Sequence, residues 1–336
     1  MLMDPNDVEV AHPPSDGVSS MAFSPTNDHL AVASWDHQVR IYGVQSATGS
    51  TTPIAAYEHQ NPALSVAWCR DGNRVISGGA DNTARMYDVI RGQAIQIAQH
   101  AAPVKSVKVL GGLGDNVIAT ASWDQTLKYW DTRSPQPIAT VQLPDRCYVM
   151  DTVDQLLVVG TAERHVCIFD LKNPTVIYKQ TVSPLKWQTR AIACFPDAKG
   201  FAIGSIEGRI GIQYVDPRDH AKNFSFRCHR DEKTKQVFAV NDISFHPTFG
   251  SFSTCGSDGT TSFWDKDSRQ RLKLFSKVQC TVSCTAFNRN GNLLAYAVSY
   301  DWSQGYKKAP SPSGTNPNKI GLHAVIGDEA KTKKKR

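Results

Sequence analysis

The chain has 336 residues, 40% hydrophobic and 20% charged, with 23 glycines and 18 prolines. That balance supplies apolar side chain for a large core and excludes wholesale disorder and collagen-like structure. No run approaches the ~18 consecutive apolar residues of a membrane span, and the opening MLMDPNDVEV is acidic and polar where a signal peptide is basic and then apolar, so a soluble protein made in the cytosol, with no membrane insertion, is expected.

Read in chain order, the sequence repeats itself. The segment VSSMAFSPTNDHLAVASWDHQVRIYGV, from Val18 to Val44, recurs in altered form from Ala63, Val104, Cys147, Arg190, Val240 and Val282. Tyr42, Tyr87, Trp130, Phe169, Gln213, Trp264 and His323 occupy equivalent places near the ends of these units. Each unit alternates apolar and polar residues over short runs rich in Val, Ile and Phe, broken by Asp-Gly, Asn-Gly or Pro-Thr, which predicts strands joined by tight turns. Units of about 40–45 residues, four strands each, with Trp-Asp endings at Trp130-Asp131 and Trp264-Asp265, are the mark of WD-repeat blades. The predicted fold is all-β, a seven-bladed WD-repeat β-propeller over residues 18–326. Residues 1–17 form an N-terminal segment, of which Asp7 to Pro14 is expected to supply the outer strand of the last blade and so close the ring. A flexible Pro/Ser/Gly insertion is expected at 309–318 and a basic tail at 327–336.

The tail matters for charge. The formal net charge is +6, but Lys331, Lys333, Lys334, Lys335 and Arg336 carry five of those positive charges. The body is therefore nearly neutral, which argues against a whole-surface grip on nucleic acid. The tail reads either as a nuclear-import or RNA-affinity element or as a solvating end.

His, Ser or Thr, and Asp recur together in a way that resembles a catalytic triad: His59, Ser77 and Asp81; His100, Thr120 and Asp124; His229, Thr254 and Asp258. Recurrence at one place in successive units argues for a structural network, completed by Trp130 and Trp264, because a catalytic site occurs once. His12 with Asp36 reads as a partial copy, and Glu163 takes the Asp position in the fourth unit. No GxSxG, Walker A, HExxH or GxGxxG motif is present, and Gly111, Gly112 and Gly114 sit between strand-like runs, as in a hairpin. The eight cysteines include no CxxC pair, and most lie in apolar strands as small hydrophobes. No catalytic residue, cofactor or metal is therefore assigned, although an enzyme using the central channel stays open as a third reading.

The turn between the second and third strands of a blade and the loop into the next blade share one face of a propeller. Trp35 and Trp123 precede their turn Asp there and are expected to be exposed. Arg209, in the turn of the fifth unit, and Arg227, in the loop to the sixth, are expected to converge on the same face, a pairing suited to carboxylates or phosphates. The alternative is that each pairs with a local acid such as Glu207 or Asp231.

The strings SWDHQVRIY, GTAERHV, SPLKWQTR, SIEGRIGIQY, FRCHR, FAVNDISFHP, GSDGTTSFWDKD and SYDWSQG resemble the WD-repeat messenger-RNA export factors associated with the nuclear pore, from about Val8 to Lys308. That resemblance implies a non-enzymatic scaffold docking on the acidic GLEBS motif of an FG nucleoporin. It further implies Arg209, Arg227, Trp35, Asp301, Trp302 and Lys307 as peptide-binding residues, with Lys307 or Lys308 replacing a family lysine that is Gln304 here. The composite surface would contact messenger ribonucleoprotein or single-stranded RNA, with Trp123 and the tail residues Lys333, Lys334, Lys335 and Arg336 as RNA contacts. The implied location is the nucleus and nuclear envelope, with a cytoplasmic pool. The related spindle-checkpoint subunit is the alternative, using the same arginines on a checkpoint kinase and reaching checkpoint or microtubule-associated proteins.

Overall fold

Six-residue runs in which β-branched and aromatic residues alternate with polar ones become strands, and the Gly, Asn and Asp breaks become turns. The computed structural model describes residues 2–45, 48–305, 307 and 318–332, which form seven four-stranded antiparallel sheets. In blade 1 the strands run outward in chain order as Val18–Phe23, His29–Ser34, Gln38–Val44 and Thr51–Glu58. The innermost strands of the next five blades are Ala63–Trp68, Val104–Val109, Cys147–Val153, Thr189–Cys194 and Val240–Phe245. Together with Val282–Phe287 of blade 7 they wall a central channel. The expected seven-bladed propeller is the observed fold.

An innermost strand has no sheet neighbour on its channel side, so its outward N–H groups need other partners. Side chains of the preceding blade supply several. Ser20 Oγ accepts from Val66 N (3.4 Å), Ser65 Oγ from Val107 N (3.2 Å), Asp151 Oδ2 from Cys194 N (2.7 Å) and Asp242 Oδ2 from Thr285 N (2.9 Å). Between blades the core divides into apolar seams. Ile41, Tyr57, Trp68 and Tyr87 pack blade 1 on blade 2, and Tyr129, Met150 and Phe169 pack blade 3 on blade 4. All eight cysteines are free, and burial pushes thiols such as Cys69, to about 11, well above their ordinary value.

The ring closes in blade 7. Behind Val282–Phe287 lie Leu293–Val298 and Lys319–Ala324, and the fourth strand is Val8–Glu9 from the other end of the chain, with Val8 opposite Leu322 and Glu9 opposite Gly321. At the place other blades fill with an aromatic residue, blade 7 has His323, opposite Leu294 as Trp130 is opposite Ile118. Its ring is nearly buried, with Nδ1 2.7 Å from Asp7 Oδ1 and Nε2 2.8 Å from Glu329 Oε1. Lys273 joins Glu329, the Tyr296 hydroxyl donates to Asp7 (2.7 Å), and Met3 N donates to the Tyr296 hydroxyl (2.9 Å). One imidazole thus ties both chain ends to the last blade.

The segment read as a tail begins inside the fold. Ala330 is buried beside Met3, and Ser251 Oγ donates to its carbonyl, so the chain is anchored to that point, with Lys331 exposed and Thr332 half-buried after it. Lys333, Lys334, Lys335, Arg336, Lys308 and the insertion up to residue 317 lie outside the described residues.

Burial alone works against a charged His323, but hydrogen bonds and charge from Asp7 and Glu329 override it and push the imidazole up to about 9 from 6.5. A folded-state value above the unfolded one gives stability that is complete below about pH 6.5 and lost as pH rises through about 9. The melting temperature of the wild type should fall across that window, and that of His323→Phe should fall less; parallel pH profiles would contradict the assignment.

Candidate functional site

Between the second and third strands of most blades, a turn of three or four residues carries an acid followed by a residue in the left-handed region: His37 (φ 71°), Asn82 (66°), Gln125 (65°), Gly208 (61°) and Gly259 (75°). The acid folds back to satisfy the start of the third strand. Asp124 Oδ1 accepts from Thr126 N (3.0 Å) and Oγ1 (2.6 Å), an Asx arrangement repeated by Asp81 with Thr83 and Asp258 with Thr260. Glycine is required at position 208, where a Cβ would lie 2.6 Å from the Cys228 carbonyl oxygen. The residue before the acid stands at the tip, where no neighbouring sheet covers it. Trp35 and Trp123 occupy that tip and are 42% and 39% exposed, with Ile206 in the same position in blade 5.

The acid's second task is to hold the histidine of the preceding loop. His100 Nδ1 lies 2.9 Å from Asp124, its Nε2 is 2.7 Å from Thr120 Oγ1, and Trp130 Nε1 donates to that hydroxyl at 2.8 Å. His229, Asp258, Thr254 and Trp264 form the same chain with every link at 2.9 Å. In blade 2, His59 joins Asp81 (3.0 Å) and Ser77 (2.7 Å), and the aromatic donor is the Tyr57 hydroxyl (2.8 Å), whose ring stacks on Tyr87. Burial favours the neutral acid, yet the bonds from His59 and Thr83 hold Asp81 far below the usual carboxylate range, and Asp124 and Asp258 are likewise lowered. These histidines are buried and fully engaged, so they face no substrate. His12 is not a fourth copy: its side chain is exposed, and Asp36 instead accepts from Ser15 N (2.9 Å) and pairs with Arg40 (2.8 Å). Glu163 sits exposed on a short 3-10 turn.

Blade 5 carries the cationic part of this face. Its third strand is Arg209–Tyr214 and its fourth Phe224–Arg227, antiparallel, with Arg209 and Arg227 directly opposite. Both arginines therefore stand at strand ends, not in the loops the sequence suggested, and the sheet register brings them together. Like charges directly opposed on a sheet are unfavourable. Among the described residues only Glu207 pairs with Arg209, at 3.6 Å, and its other oxygen accepts from Lys186 N (3.0 Å). Asp231 does not serve Arg227; its carboxylate closes on the N–H groups of Lys233 (2.8 Å) and Thr234 (3.2 Å). Arg230, which sequence reasoning passed over, is committed to the turn through the Glu207 carbonyl (2.7 Å).

Blade 7 brings a second group to the face. Trp302 is 48% exposed with φ at 60°, its ring 5.5 Å from that of Tyr300, and Lys307 is exposed beyond it. Gly17 lies between Trp35 and the Tyr300 backbone, each within 3.7 Å of where its Cβ would be, so the Trp35 and Trp302 loops are neighbours. Asp301 does not belong on a peptide-binding surface. Its side chain is 1% exposed and accepts from Asn241 Nδ2 (3.1 Å), Ser257 Oγ and Ser303 N (3.1 Å), with Arg190 at 3.9 Å. It fixes the loop that presents Trp302. Sequence reasoning also missed Trp187, 57% exposed in the loop from blade 4 to blade 5; the signal was its place in an inter-blade loop, the same one that singled out Arg227. Among the described residues no group of three His, Cys, Asp or Glu side chains is placed to hold a metal ion.

Comparison with known proteins agrees with this architecture. The profile described as WD domain, G-beta repeat matches residues 6–43, 51–88, 93–131 and 222–265, the stretches that carry Asp36, Asp81, Asp124 and Asp258 in their turns. The chain is 53% identical over 333 residues to the poly(A)+ RNA export protein of Schizosaccharomyces pombe, covering 98% of this chain and 94% of that protein. It is 49% identical to the mRNA export factor GLE2 of Chaetomium thermophilum, covering 97% and 92%, and 45% identical to the protein Rae1 of Drosophila melanogaster, covering 90% of each.

Replacing Asp124 by alanine strips the buried His100 of its carboxylate and the turn of its acceptor. Loss of such a buried partner costs about 1–3 kcal/mol, so Asp124→Ala should melt at a clearly lower temperature, and an unchanged melting temperature would contradict the structural role of the chain.

Proposed function

From the premise that the chain belongs to the WD-repeat messenger-RNA export factors, we propose that it acts without chemistry of its own, as a scaffold of the nuclear pore. On this reading the face of turns and inter-blade loops clamps the acidic GLEBS segment of an FG nucleoporin, and the composite surface holds messenger ribonucleoprotein in transit. The protein then resides in the nucleus and at the nuclear envelope, with a cytoplasmic pool.

One observation carries the proposal: Arg209 and Arg227 stand opposite each other at the end of blade 5, with Glu207 the one acid paired with Arg209 among the described residues. A glutamate from a partner would relieve their mutual repulsion and form charge-assisted hydrogen bonds. Exposed Trp187 and Ile206 flank the same corner and supply apolar contact area of the kind that anchors interfaces. The tryptophans near blades 7 and 1 leave room for an extended chain to cross the face, or for bases to stack.

Arg209→Glu should leave the melting temperature unchanged, as surface substitutions usually do, while abolishing binding of a synthetic acidic GLEBS peptide in calorimetry. Undiminished binding would remove Arg209 from the site.

A further inference from the structure

Each of the seven innermost strands carries a β-bulge at the same place. The register skips one residue at Ser19, Leu64, Lys105, Tyr148, Arg190, Asn241 and Ser283. A bulged residue is left out of the ladder and its side chain is re-aimed. The position lies one residue into each innermost strand, hence at the end of the channel that opens on the face bearing Trp35 and Arg209. The bulges line that mouth, and the channel below encloses about 1020 Å³.

Two of the bulged side chains tie neighbouring blades together. Ser19 Oγ donates to the Ala63 carbonyl (2.6 Å), and Asn241 Nδ2 to the Val282 carbonyl (2.8 Å). Lys105 does no such work and has no hydrogen bond or ion pair among the described residues. The acids nearest the mouth are already engaged, whereas Asp154 lines the cavity from a turn at the other end of its innermost strand. Asp151 accepts from Cys194 N and pairs with Lys108 at 2.7 Å, Asp242 accepts from Ile243 N and Thr285 N at 2.9 Å each, and Asp301 is held by Asn241, Ser257 and Ser303. Arg190 reaches Asp301 only at 3.9 Å, which leaves most of its N–H donors unspent. Among the described residues the mouth thus presents an ammonium with no direct ion pair, attracted by Asp242 only through space, and an under-used guanidinium, in a lining shared with Tyr148.

We propose that the channel mouth is an oxyanion site, separate from the Arg209–Arg227 corner, in which a phosphate or carboxylate group is held by Lys105 and Arg190. The cavity supplies a concave, half-open setting, and charge-assisted bonds from an ammonium and a guanidinium supply the affinity. Burial, with the like charge of Arg190, lowers Lys105 from its ordinary value although the nearby Asp242 carboxylate opposes the shift, and a bound anion would relieve the remaining penalty. The group has two sources, a free small oxyanion or a glutamate of a segment crossing the face.

The test is titration calorimetry of the full chain with sodium pyrophosphate. The wild type should bind saturably, Lys105→Met should bind at least tenfold more weakly with its melting temperature retained, Lys105→Arg should keep binding, and the Arg209→Glu, Arg227→Glu double variant should match the wild type. Absence of saturable binding, full binding by Lys105→Met, or loss in the double variant would overturn the site; if Lys105→Met fails to fold, loss of binding in folded Lys105→Arg would overturn it instead. Displacement of pyrophosphate by excess acidic peptide would assign the pocket to a peptide carboxylate, and its retention to a free oxyanion, each consistent with the site.

Discussion

A ring of sheets stands or falls on its last seam. Each blade covers one face of each neighbour, so an open arc would leave two sheet faces and their apolar side chains in water. Here closure rests on the pairing of Val8–Glu9 with Lys319–Ala324 and on the charged knot of His323, Asp7, Glu329 and Lys273. Behind it, Val10, Val18, Leu30 and Tyr42 meet Leu293, Ala295 and Leu322 across the junction of blades 7 and 1. The ends of the chain, distant in sequence, become one element, and every other blade inherits its fixed position from that join.

Given a closed ring, the working face follows from turn chemistry. The acid in the turn and the left-handed residue after it satisfy the backbone locally and anchor the buried histidine of the inter-blade loop. These bonds hold the turn and leave Trp35 and Trp123 part-exposed at its tip. An indole placed there is presented on a rigid support, which lowers the entropic cost of using it in recognition. The same economy operates in blade 7, where buried Asp301 pins the loop of Trp302. On the proposed reading, structure and recognition use adjacent residues of one motif: the acid holds the fold, and its neighbour is the one offered to a partner.

The number of blades was legible because each repeats the same alternation and turn signals, and the recurrence of His100, Thr120 and Asp124 in sister units separated a structural chain from a catalytic one. Other features lay out of reach for definite reasons. The burial of Asp301 is decided by Asn241 and Ser257, which arrive from blade 6 and leave no trace in the local SYDWSQG string. The opposition of Arg209 and Arg227 depends on how far the two strands of blade 5 extend, and turn residues alone do not set that register. A bulge at Lys105 shifts one residue without breaking the apolar pattern around it, so the channel mouth was invisible in the sequence. The charge of the tail gave no sign that Glu329 and Ala330, inside the stretch read as tail, are held by partners elsewhere in the ring.

We propose that the face bearing Arg209 and Arg227 is where this export factor meets the nuclear pore. The most direct test is affinity capture of the tagged full chain from nuclear extract beside the Arg209→Glu, Arg227→Glu form, with retained proteins identified by mass. The account predicts an FG nucleoporin on the wild type alone. An identical catch from both forms, or a checkpoint kinase in place of the nucleoporin, would contradict it.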